Sequence, residues 1–107
     1  MRIEALKYRT EDKQDIIIVV DFYENFMHSE WRIADIKHKT SRQREYRYFS
    51  SSFRDDWDYR KLDFEERMGY VMKKYEEFVG REKLEEAVEV AWKMLRPDLG
   101  KIGVCNI

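Results

Sequence analysis

Three charged side chains near the middle of the chain are of types that metal-assisted chemistry uses. Asp21 closes the apolar run Ile16 to Val20, and the triplet Asp35-Ile36-Lys37 sits in the next apolar stretch. If both stretches are strands, an i, i+2 spacing puts Asp35 and Lys37 on one face. Carboxylates on neighbouring strands can hold Mg²⁺, and a lysine beside them can polarise an attacking water. The same three residues would also make ordinary ion pairs across strands on a solvated sheet face.

Other chemistry-bearing clusters are weaker. Asp55, Asp56 and Asp58 crowd into RDDWDY, but the D-x-D-x-D-G order and the twelfth-position glutamate of a Ca²⁺ loop are absent. A turn whose aspartates satisfy local backbone donors is the expectation there. His28, His38 and Cys105 are too few and too scattered for a four-ligand zinc site, and no C-x-x-C exists. Cys105 lies in an apolar tail and reads as a small packed side chain. With four glycines and no phosphate-loop or nucleophile-elbow motif, the chain has little material for small-molecule catalysis. The expectation is a protein without metal or cofactor, acting by binding rather than by catalysis.

The Asp21…Asp35-x-Lys37 pattern resembles the signature of the PD-(D/E)xK nucleases over about 20 residues. That resemblance implies a Mg²⁺-dependent nuclease with Asp21 and Asp35 as metal ligands and Lys37 beside the water. Val20 stands where the family has proline, and no N-terminal helix supplies the family's further acid.

The stretch KHKTSRQREYRYF offers a different chemistry. Lys37, Lys39, Arg42, Arg44 and Arg47 surround Tyr46, Tyr48 and Phe49, with Glu45 the only acid. Cations meet phosphates and aromatic faces stack on unpaired bases, so a nucleic-acid contact through this basic hairpin is one reading. A solvated turn guarded by Lys and Arg against edge pairing is the other. Trp57 stands among five charged neighbours, and aromatics make up 15% of the chain, more than one small core holds comfortably. Trp, Tyr and Arg dominate protein interfaces. The contact surface expected for a partner is therefore Lys37, Lys39, Arg42, Arg44, Arg47, Tyr46, Tyr48 and Trp57, with the acidic helix residues Glu82, Glu85, Glu86 and Glu89 available to a protein partner.

Composition bounds these readings. A chain of 107 residues is expected to form one domain over 1–107. Charged residues are 40% of it, yet the net charge is −1. Between Trp31 and Arg54, 7 basic residues face 2 acidic ones, a local +5, so the remainder carries −6. The molecule is bipolar. One cysteine excludes an internal disulfide and favours a reducing compartment. MRIEALKYRT has charges where a signal sequence is apolar, and no apolar run approaches membrane-spanning length, so a cytoplasmic protein without membrane contact is expected.

Periodicity supplies the elements. Arg2 to Arg9 is a strand whose alternation slips between Ala5 and Leu6. DIIIVVDFY (Asp15 to Tyr23) is a central strand covered on both faces, WRIADIKHK a third, and YRYFSSSF a fourth. Short polar connections at 10–15, 24–30 and 40–45 require an antiparallel meander. Phe64, Met68, Val71, Met72, Tyr75, Phe78 and Val79 then fall on one helical stripe, with an Asp63 N-cap and a Gly80 stop. Leu84, Ala87, Val88, Ala91 and Leu95 form a second stripe, which Pro97 and Gly100 should end before a tail that could add an edge strand. The predicted class is α+β, about four antiparallel strands with two C-terminal helices on one face. The predicted function is a small binding or inhibitor-type protein that occupies a macromolecular partner, a protein or a protein–nucleic acid complex. It has the general character of phage and mobile-element accessory proteins. Self-association stays open, since the apolar stripes could pack between chains.

Overall fold

Runs of β-branched residues in the first half build a sheet, and the apolar stripes of the second half cover one side of it. The computed structural model describes the backbone of residues 1–24 and 29–106, and the side chains of 1–22 and 30–94. Strands β1 (Arg2–Arg9), β2 (Gln14–Glu24), β3 (Ser29–Thr40) and β4 (Arg47–Tyr48) form an antiparallel sheet in the order β1-β2-β3-β4. A 3-10 turn (Phe49–Ser52), a single-turn helix α1 (Trp57–Arg60) and two longer helices, α2 (Phe64–Val79) and α3 (Arg81–Asn106), follow. The architecture is α+β, as the periodicity required.

Two bulges reconcile the sequence with the pleat. Ile3 and Leu6 are an odd number of residues apart and would face opposite sides of a regular strand. The register of β1 on β2 shifts between Glu4 and Leu6, with Ala5 as the extra residue, and both side chains then pack towards the helices. The same device serves β3. Val19 pairs with Asp35 and Val20 with Ile33, so Ala34 is the extra residue and both Ile33 and Ile36 enter the core.

β2 is buried on both faces. Ile16, Ile18 and Val20 meet Leu84, Ala87 and Ala91 of α3 and Tyr75 of α2 in one core cluster. Ile17 and Val19 lie outside that cluster yet are nearly inaccessible. Lys7 and Lys37 are the register partners of Ile17, and the stems of such long side chains cover apolar neighbours while their charges stay in water.

The helix ends follow local chemistry. The Asp63 carboxylate accepts from the Glu66 backbone N–H at 2.9 Å, and that bond holds its carboxyl below the usual carboxylate range. Gly80 ends α2 with φ 88° and ψ 151°, a region open essentially only to glycine.

Three expectations need correction. The fourth strand is only Arg47–Tyr48, because Phe49 turns inward to stack on Phe78 (centroids 4.2 Å apart) and the chain tightens into the 3-10 turn. RDDWDY is not a plain turn: Trp57–Arg60 make a helical turn, and its aspartates pair with cations, Asp55 with Arg60 at 3.0 Å and Asp58 with Lys61 at 3.2 Å. Pro97 and Gly100 do not end the last helix, and no edge strand forms from 101–106. A proline removes one backbone hydrogen bond without forbidding the turns beyond it, and α3 runs on to Asn106. Among the described residues no helix is long and apolar enough to cross a membrane.

Candidate functional site

The register of β4 on β3 decides where the basic hairpin points. Tyr48 pairs with Lys37, and Arg47 with His38. Lys37 and Tyr48 therefore project from the face opposite the helices, with the Lys37 ammonium 5.6 Å from the Tyr48 ring centroid. One step further along, Lys39 lies 5.1 Å from the Tyr46 ring. Both tyrosines are exposed, 38% for Tyr46 and 46% for Tyr48. Arg47 is separated from them: it sits on the helix side beside His38, whose imidazole packs edge-on against Phe78 at 5.3 Å and Phe49 at 6.3 Å. Burial lowers the His38 pKa and Arg47 lowers it further, against a smaller opposing effect of Asp35. Arg42 and Arg44 are exposed in the β3–β4 connection.

The same face gathers residues that the hairpin reading did not include. Lys7 lies across Ile17 from Lys37, and Arg9 bonds Asp15 at 2.9 Å, holding that carboxyl low. Glu4 approaches Lys37 at 3.9 Å. The alternation of β1 carried this signal, once the slip at Ala5 is recognised as a bulge.

The nuclease-like residues are placed as follows. Asp21 pairs with the Met1 amine at 3.3 Å. Asp35 is 7% exposed. Its Oδ1 accepts from the backbone N–H of Ile36 at 2.8 Å and of Ser50 at 3.2 Å, and its Oδ2 accepts from Ser50 Oγ at 2.5 Å. Arg54 in turn donates to Ser50 Oγ at 3.3 Å, and the Tyr75 hydroxyl donates to Ala34 O at 3.4 Å, its pKa raised by burial and by nearby Asp35. This network borders a cleft of about 370 Å³. Its acceptors are occupied within the fold, and its chemistry is that of a clamp holding the 3-10 turn to β3. Asp21 and Asp35 are not partners of one another in the register, and Lys37 is turned to Glu4 and Tyr48. Among the described residues no three His, Cys, Asp or Glu side chains gather as a metal site would need. His28 and the Cys105 side chain lie outside the described residues.

A second surface was hidden in the helical stripe. Only one side of α2 packs: Tyr75 is buried and Tyr70, Val71, Phe78 and Val79 lean on the core. Phe64 is 75% exposed, and Met68 and Met72 are each about two-fifths exposed. Across from them stand Val88 and Trp92 of α3, and Trp31 contributes from β3, its ring meeting Trp92 at 6.3 Å. The result is an open groove of about 1270 Å³. Glu85 and Glu89 line its α3 side, whereas Arg67, another lining residue, is turned to the Arg60 carbonyl at 2.6 Å and to the Tyr59 ring. Trp57 lines neither groove nor cleft and is 76% exposed on α1. Periodicity could not reveal the groove, because an apolar stripe reads the same whether or not a partner element covers it.

Comparison of the chain with protein-family models, with curated proteins and with solved structures gives no match.

Proposed function

We propose that this is a non-enzymatic binding protein that works by occupying a protein partner, and that the groove between α2 and α3 is the main contact. The observation that carries the reading is the row Phe64, Met68 and Met72 left in solvent opposite Trp92. Contiguous apolar surface of this kind on a small soluble fold marks an interaction site. At about 1270 Å³ the groove exceeds the usual ~300–1,000 Å³ of a small-molecule pocket, and it is open to solvent. An apolar helix side or a similar polypeptide segment suits such a shape, and methionines adapt to it. Aromatic anchors such as Trp92 would dominate the lifetime of the complex, while the bipolar charge governs encounter. The inhibitor-type character expected from the sequence is compatible with this mode of action.

The test uses the double variant Phe64→Glu with Met68→Gln, which keeps good helix formers on an exposed surface. Its thermal midpoint should match the parent. Wild-type protein immobilised against cell extract should capture a discrete partner that the variant does not. Sedimentation velocity across a range of concentrations separates a second copy of the chain from a foreign partner. Capture unaffected by the variant, or neither capture nor self-association, would remove the groove from the function.

A further inference from the structure

We infer that the sheet face opposite the helices binds single-stranded nucleic acid, with Tyr46 and Tyr48 as base-stacking platforms and Lys7, Lys37 and Lys39 as phosphate contacts. This surface lies on the other side of the sheet from the core, so the inference does not rest on what fills the groove. The backbone argument comes first. Tyr46 and Tyr48 are two residues apart on one side of the chain, and so about 7 Å apart along it. Stacked bases in a duplex rise only about 3.4 Å, so two neighbouring bases can each cover one ring only after they unstack from each other. A single strand does this readily and a duplex does not.

Charge on the face agrees. Lys7 and Lys37 flank Ile17, Lys39 stands beside Tyr46, and Arg42 and Arg44 extend the positive edge into the connection. The β1 and β2 acids of the face are already engaged, Glu4 with Lys37, Asp15 with Arg9 and Asp21 with the Met1 amine. Lys37 and Lys39 rest near the tyrosine rings. An exposed cation–π contact is weak, so each ammonium can swing to a phosphate as a base takes its place on the ring. Arg47 is on the opposite side and takes no part, which divides the five-cation hairpin into contributors and bystander.

The experiment is a fluorescence-anisotropy titration of the whole chain against labelled single-stranded DNA and RNA of about 12 nucleotides, with a duplex of equal length and polyglutamate as competitors. Single strands should bind in preference to duplex, with log affinity falling linearly in log salt. Lys7→Ala and Lys37→Ala should each reduce that slope by about 0.7. Tyr46→Ala and Tyr48→Ala should each weaken binding by about 5- to 100-fold, whereas Tyr48→Phe retains it. Tyr48→Leu keeps bulk on the edge strand but offers no flat π-face. It should bind as poorly as the alanine variant at an unchanged thermal midpoint. DNA and RNA binding alike supports a backbone-and-stacking mode, and a preference for RNA supports the same face with added 2′-hydroxyl contacts. Equal or tighter duplex binding, displacement by polyglutamate at matched charge, indifference to Tyr46→Ala and Tyr48→Ala, or no binding at low salt would each overturn the inference.

Discussion

Asp35 shows how one residue type can be read two ways. In the sequence it opens an Asp-x-Lys motif; in the fold it is a buried acceptor for two backbone N–H groups and one hydroxyl. Hydrogen bonds to a charged group contribute about 1.5–3 kcal/mol each, and donors left without an acceptor in a buried place cost about as much. Asp35→Ala should therefore destabilise the fold by about 2–4 kcal/mol in urea denaturation. Asp35→Asn should cost less, since an amide oxygen still accepts while its NH₂ faces donors. If Asp35→Ala were as stable as wild type, the clamp reading would fail and a catalytic reading of Asp35 would regain force. His38 is the other informative residue. Its apolar packing between Phe49 and Phe78 was not legible, because only the pairing of β4 places those rings beside it.

Individual elements are governed by their ends more than by their interiors. The Asp63 cap and the Gly80 stop of α2 were both readable, since each is a local requirement with a residue-specific solution. The two glycines of α2 and its end separate backbone strain from crowding. Beyond the adjoining residues and the helix's own backbone, nothing lies within 4 Å of where a Cβ would stand on either Gly69 or Gly80. Gly80→Ala should still cost about 1–3 kcal/mol, because its φ of 88° is strained for any side chain. Gly69→Ala, in a regular helical turn, should stabilise by up to about 1 kcal/mol. Chemical denaturation of the two variants checks both signs. The end of the fourth strand was not readable for a complementary reason. Tyr46, Tyr48 and Phe49 all favour strands, but the burial of Phe49 against Phe78 and the capture of Ser50 by Asp35 bend the chain after Tyr48.

At the scale of the whole molecule, shape and charge are both uneven. The radius of gyration is 15.8 Å, against about 13 Å for a compact chain of this length. The excess fits an elongated body, with extents of 48 × 35 × 23 Å. Charge separates along the same body, basic on the hairpin and acidic on α3, where Glu82, Glu85, Glu86 and Glu89 are all exposed. The arginines of the hairpin bear little on stability. Arg42→Glu, Arg44→Glu and Arg47→Glu combined should leave the thermal midpoint within a few degrees, because exposed charges contribute about 0–1 kcal/mol each. A large drop in calorimetry would show that these arginines hold the fold.

Features that depend on near neighbours were legible in the sequence: the class, the meander, the two ends of α2, the slip at Ala5 that proves to be a bulge, and the bipolar charge. Each follows from alternation, from residue-specific backbone preferences, or from counting. Which apolar residues are covered, and which chemistry-bearing residues meet, depends on how the elements pack. Periodicity assigns Phe64, Met68 and Met72 to the same stripe as Tyr75, and only the packing of α2 leaves the first three in water. Lys7 and Lys37 are thirty positions apart, and only strand pairing sets them on either side of Ile17. Burial and cross-strand proximity are properties of distant segments brought together, and no local pattern encodes them.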